Sequence, residues 1–118
     1  MHPDRLKALA CTISRGGFSG ERLFALDEID HSGIASRSHL WKQNGAPLDE
    51  GEPPIGEVIP GLVAVRIIEE RAMGRFLISI PDGEVIEVPS SQLLDRPSGV
   101  RDRTYLTETC ARQSNAAI

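Results

Sequence analysis

Few residues in this chain have the type and spacing to do chemistry. His2, His31 and His39 are its imidazoles, and Cys11 and Cys110 are its thiols. Ser38 and His39 are adjacent, so on a strand they point to opposite faces and form no hydroxyl–imidazole relay. No Gly-x-Ser-x-Gly occurs. Asp27-Glu28-Ile29-Asp30-His31 gathers three carboxylates beside an imidazole. Such hard oxygen ligands suit a divalent cation, but the alternating acidic spacing of an EF-hand loop is missing, so the segment reads as a polar hairpin tip. Gly16–Gly20 (GGFSG) has no Lys-Ser/Thr after it and sits between two strand patterns, which makes it a turn and not a phosphate cradle. Glu50/Glu52 lie in a Pro-rich loop and Glu69-Glu70 at a strand end, where carboxylates are solvated. Two distant cysteines make neither a disulfide framework nor a zinc site. Cys11 alternates with Leu9 and Ile13, as a buried thiol acting as a small hydrophobe would. The expectation is therefore no catalytic residue, no metal and no cofactor, and the reading leans away from an enzyme. A small enzyme of unknown reaction stays as the third function class.

What remains is a binding constellation. If Ile34–Trp41 is one regular strand, Arg37, His39 and Trp41 share a face. Arg and Trp are frequent interface anchors, and their planes stack. Arg22 and Phe18 complete the candidate binding residues. The plainer alternative places Trp41 in the core with Leu40 facing out.

Composition sets the class within which these residues act. Hydrophobic residues make up 40% and charged residues 25% of 118, which is ordinary for one globular domain. Thirteen Lys+Arg against seventeen Asp+Glu give −4. No basic footprint for phosphate follows, so nucleic acid is disfavoured as a partner. Arg15, Arg22, Arg37 and Lys42 are the cations that a nucleic-acid-binding barrel would use. No apolar run is longer than that of Leu62–Val65, far short of the roughly 20 residues of a membrane span. Ala8-Leu9-Ala10-Cys11 lacks the long apolar stretch of a lipoprotein signal. The expected address is a reducing cytoplasm.

The elements that must position the candidates are strands. Leu9, Cys11 and Ile13 alternate with Ala8, Ala10 and Thr12. Arg22–Asp27 and Ile34–Trp41 follow after Gly-containing turns. Gln43–Gly61 is rich in Pro, Gly and acidic residues and reads as an extended connector (residues 43–61), unable to be a central strand. The alternation resumes at Leu62–Glu69 and Arg75–Ile80. Pro81-Asp82-Gly83 then makes a tight turn into Glu84–Val88. Pro89–Leu94 closes as a single 3-10 turn. Inside and outside of 22–27 and 34–41 stay unassigned, because a one-residue slip exchanges the faces. Segments Leu9–Trp41 and Leu62–Leu94 echo each other, which suggests an internal repeat of a three-stranded meander.

Residues 62–94, ending PDGEVIEVPSSQLL, resemble the closing strands of SH3-like small β-barrels of the Tudor and KOW kind. The resemblance implies a binding module and transfers no functional residue. An aromatic cage is not supported, since the second unit has only Phe76. The expected fold is mainly β: a small antiparallel barrel or sandwich of about six strands from two three-stranded meanders. One domain is expected over 1–97, with a partly ordered tail over 98–118 in which Thr104–Thr109 is a candidate last strand. The expected function is a non-catalytic interaction module that binds a protein partner or associates with itself. Sheet edges would do the pairing, with the connector 47–61 as a polyproline recognition segment.

Overall fold

The computed structural model describes residues 5–17 and 20–97. Within them the chain forms strands β1 (Leu6–Arg15), β2 (Glu21–Leu26), β3 (Ser32–Ser36) and β4 (Leu40–Lys42), then β5 (Val58–Arg71), β6 (Arg75–Ser79), β7 (Val85–Pro89) and β8 (Leu94–Asp95). The sheet order is β3-β2-β1-β5-β6-β7, and every neighbouring pair is antiparallel. The expected mainly-β architecture holds: two meanders make one curled antiparallel half-barrel.

The meanders join along β1 and β5, from Leu6↔Arg66 to Ser14↔Val58. Each meander ends in one 3-10 turn, Arg37–His39 or Ser90–Gln92. A short strand follows each turn and pairs with the first strand of the other meander. β4 lies on β5 through Trp41↔Leu62, and β8 lies on β1 through Ala8↔Leu94. These two crossings, with a bulge in β5 between Ile67 and Glu69, bend the sheet upon itself.

Alternation decides what the bend encloses. Leu9, Cys11 and Ile13 of β1 face Phe24 and Leu26 of β2, Val63 and Val65 of β5, Ile78 and Val88 in a single apolar cluster. Arg22, Phe24 and Leu26 are the inward residues of β2, while Leu23 is exposed. Ala8, Trp41 and Ala64 form a second cluster with Leu62. Ala8 and Ala64 alternate with Leu9 and Val63, so the second cluster covers the other face of the β1–β5 pair. Close packing at the middle of this pair requires Gly61. A Cβ there would strike Ile13 Cδ1 and sit 2.5 Å from the Trp41 carbonyl oxygen.

Three expectations are corrected. First, Ile34–Trp41 is not one strand. Ser36 Oγ accepts from the Ser38 N–H at 3.3 Å, and this side-chain turn starts the 3-10 turn Arg37–His39 that separates β3 from β4. Second, strand β5 begins at Val58, inside the expected connector, and runs through Pro60 opposite Thr12. Pro60 is tolerated because β4 reaches only as far as Gly61 on the other side of β5, so its missing N–H withholds no bond from a second neighbour. Third, the rest of the connector is not an extended polyproline stretch. It folds back through a Trp41↔Pro47 bridge, and Leu48 is buried. The Asp27–His31 tip also differs from a purely solvated loop. His31 Nε2 lies 2.9 Å from Asp82 Oδ2 in the β6–β7 turn, and the ring packs on Phe24 at 6.3 Å between centroids. Phe18, Cys110 and Thr104–Thr109 lie outside the described residues.

Candidate functional site

The cations singled out from sequence converge on residues 48–53, a strap across one end of the half-barrel. Arg22 is completely buried. Its Nε donates to the Glu52 carbonyl at 2.6 Å, its Nη2 to the Glu50 carbonyl at 2.6 Å, and its Nη1 to the Glu21 carbonyl at 2.8 Å. Arg37 Nη1 donates to the Leu48 carbonyl at 2.9 Å, and Arg15 Nη1 reaches the Pro53 carbonyl at 3.4 Å. Lys42 Nζ pairs with Glu52 Oε1 at 2.9 Å. Burial, with Arg15 and Arg37 nearby, lowers the Arg22 pKa, and Glu50 opposes the shift. Their mutual hydrogen bond raises the pKa of Lys42 and lowers that of Glu52. A guanidinium presents donors in a fixed fork, so one Arg22 can hold carbonyls in several directions. The arrangement is a clamp on backbone oxygens.

This clamp separates the candidate binding residues. Arg37 lies half-buried on the 3-10 turn, while His39, two residues on, is exposed. Trp41 is 3% exposed and belongs to the cluster with Ala8 and Ala64. Leu40 is buried in the main core instead of facing out. Arg37, His39 and Trp41 therefore do not form one face, because the 3-10 turn interrupts the period of two between them.

The surface that the fold does assemble lies on β3. Among the described residues β3 pairs with β2 only. Leu26 N–H donates to the His31 carbonyl, and Arg37 N–H to the Gly20 carbonyl, each at 2.9 Å. Both bonds follow the β2–β3 register, so ladder parity points the N–H and C=O of Gly33 and Ala35 toward β2. The N–H and C=O of Ser32, Ile34 and Ser36 point to the open edge. No residue of β3 is charged or a proline. On the outer face, Ile34 pairs with Leu23, Leu23 with Ser14 and Ser14 with Val58. These positions make one row across four strands. Ile34 is 48% exposed, Leu23 41% and Val58 64%. A shallow groove of about 400 Å³ elsewhere, bordered by Leu9, Leu26, Glu28, Ile29 and Gln92, offers a lone carboxylate; a depression of about 340 Å³ overlies the β3 row itself.

The opposite edge, β7, is built differently. Ile80 N–H donates to the Glu84 carbonyl at 2.9 Å, so Val85, Glu87 and Pro89 turn their backbone groups outward. Pro89 has no N–H to offer there. Glu87 puts a carboxylate on the same edge, paired with Arg75 at 2.7 Å. Charge and proline are the usual guards of a sheet edge, and β3 has neither. Sequence reading missed this site because it divided Ser32–Ser36 between a polar turn and the strand Ile34–Trp41. Its signal was the same run of small, uncharged residues, once placed at an edge.

Among the described residues no three His, Cys, Asp or Glu side chains gather to hold a metal ion, and no helix is long and apolar enough to cross a membrane. No family model, no curated protein and no solved structure matches the chain.

Proposed function

We propose that the chain is a non-catalytic interaction module that accepts an extended segment of a protein partner as an added strand on β3. The observation that carries this reading is the open, uncharged edge Ser32–Ser36 beside the exposed row Leu23, Ile34 and Val58. An unguarded edge offers main-chain hydrogen bonds, and the apolar row supplies the area that makes such pairing favourable. The nucleic-acid alternative loses its cations, since Arg15, Arg22, Arg37 and Lys42 all contact the strap. An SH3-like barrel resemblance of residues 62–94, a duplicated meander and a reducing cytoplasmic setting belong to the same proposal. The half-barrel with its two crossing strands and the buried Cys11 thiol are in keeping with them.

Affinity capture from the native lysate tests the reading. Wild type should retain a protein, or further copies of itself, that Ile34→Lys loses and Val85→Lys on the other edge keeps. A monomer that captures nothing, or capture indifferent to Ile34→Lys, overturns it.

A further inference from the structure

We infer that the occupant of the β3 edge is a second copy of this chain, paired antiparallel through β3 about a two-fold axis at Ile34. The inference rests on the strand-addition reading and names its partner. Ser32-Gly33-Ile34-Ala35-Ser36 reads small, small, large, small, small in both directions. With Ile34 opposite Ile34 of the second copy, Ser32 meets Ser36 and Gly33 meets Ala35. Every cross-strand pair is matched in size. The same register suits the ladder. The residues with outward N–H and C=O groups are 32, 34 and 36, and each meets another of that set, giving about six main-chain hydrogen bonds. An offset of one residue would set outward groups against inward ones and make none.

The uncharged edge strand admits the same occupant. The chain carries −4, yet the second copy brings no charged side chain to the edge strand. The apolar row through Leu23 and Ile34 would then continue into its own image, as an isologous interface requires. A five-residue strand is about 17 Å long, so the pairing is a small interface, under the roughly 1,200 Å² at which stable specific interfaces begin. The association is therefore reversible and concentration-dependent. Added salt strengthens it by screening repulsion between like-charged copies.

Sedimentation velocity from about 10 μM to about 1 mM spans the affinities of such small interfaces. Wild type should shift from monomer to dimer. Ile34→Lys should remain monomeric, and Val85→Lys should dimerise like wild type. A cross-link reads the register, even if Ile34→Lys fails to fold. In a Cys110→Ser background, Ile34→Cys should oxidise to a covalent dimer, because a hydrogen-bonded pair holds its Cα atoms about 5.5 Å apart. Ser32→Cys should not cross-link to itself. A monomer at every concentration, a dimer insensitive to Ile34→Lys, or equal cross-linking of both cysteine variants overturns the inference. If the chain stays monomeric but binds another protein through Ile34, self-pairing falls and strand addition stands. If it binds nothing, both fall.

Discussion

Replacing Arg22 by Met removes the centre of the clamp while keeping an unbranched side chain in the space. The donors lost to the strap are those on the Glu50 and Glu52 carbonyls, each at 2.6 Å. A hydrogen bond from a charged donor is worth about 1.5–3 kcal/mol net, so the two together set a gross loss of about 3–6 kcal/mol. Two effects reduce it. The buried guanidinium no longer has to be desolvated. Glu50 is exposed, so water can satisfy its carbonyl if the strap lifts. Lifting has its own cost, because buried Leu48 would be exposed with the strap, at about 2 kcal/mol. The expected net destabilisation is about 3 kcal/mol. Urea unfolding followed by circular dichroism measures it. Arg22→Lys should recover little, since one ammonium cannot span the separate carbonyls that the fork reaches. A Glu-specific protease supplies the local readout. It should cut Arg22→Met at Glu50 or Glu57 in conditions where wild type resists. A loss under about 1 kcal/mol with unchanged cleavage would refute the clamp.

Other sites give sharp outcomes. Gly61→Ala should cost about 3 kcal/mol in chemical unfolding, because the added Cβ meets the backbone oxygen of Trp41, which cannot swing aside; a neutral result would mean that β4 and β5 are not packed this closely. Met73 has φ 64 in the β5–β6 turn and is 95% exposed. Met73→Gly should raise thermal stability by about 0.5–1 kcal/mol through relief of the left-handed conformation, and a lower melting temperature would contradict that. Burial first, and the Asp27 charge second, push the Cys11 thiol from 9.0 up to about 12. The raised value favours the neutral thiol in the fold, so its stabilisation is complete below pH 9 and lost as pH rises towards 12. The loss reaches about 4 kcal/mol, and Cys11→Ala should flatten that part of the pH profile. A thiol reagent should label wild-type Cys11 only as fast as the protein opens, and rapid labelling of the native state would disprove its burial.

Much of the fold was legible because one signal, alternation, acts locally. Leu9, Cys11 and Ile13 announced β1, and Phe76 and Ile78 announced β6. Pro81-Asp82-Gly83 fixed the hairpin into β7, and Pro89–Leu94 contained the 3-10 turn. What stayed hidden depended on partners distant in sequence. Ser36 turns the chain by bonding the Ser38 N–H, a choice that a run such as Ser-Arg-Ser-His does not advertise against a strand. The clamp could not be read because Arg15, Arg22 and Arg37 meet backbone carbonyls, which every residue possesses. Glu50 and Glu52 read as solvated loop carboxylates, yet Glu52 forms an ion pair with Lys42. Pro60 argued against a strand until the extent of β4 showed that its missing N–H cost nothing. The β3 edge needed the strand order before Ser32–Ser36 could differ in meaning from any other weak strand.

Amide hydrogen exchange resolved at each residue of β3 tests the interaction site most directly. In dilute protein the N–H groups of Gly33 and Ala35 should exchange slowly, held by β2, and those of Ser32, Ile34 and Ser36 should exchange fast. At high concentration, or with a captured partner, the second set should slow while the outward amides of Val85 and Glu87 on β7 remain unchanged. Exchange at Ser32, Ile34 and Ser36 that never responds to concentration or partner, or protection that appears on β7 instead, would contradict the account.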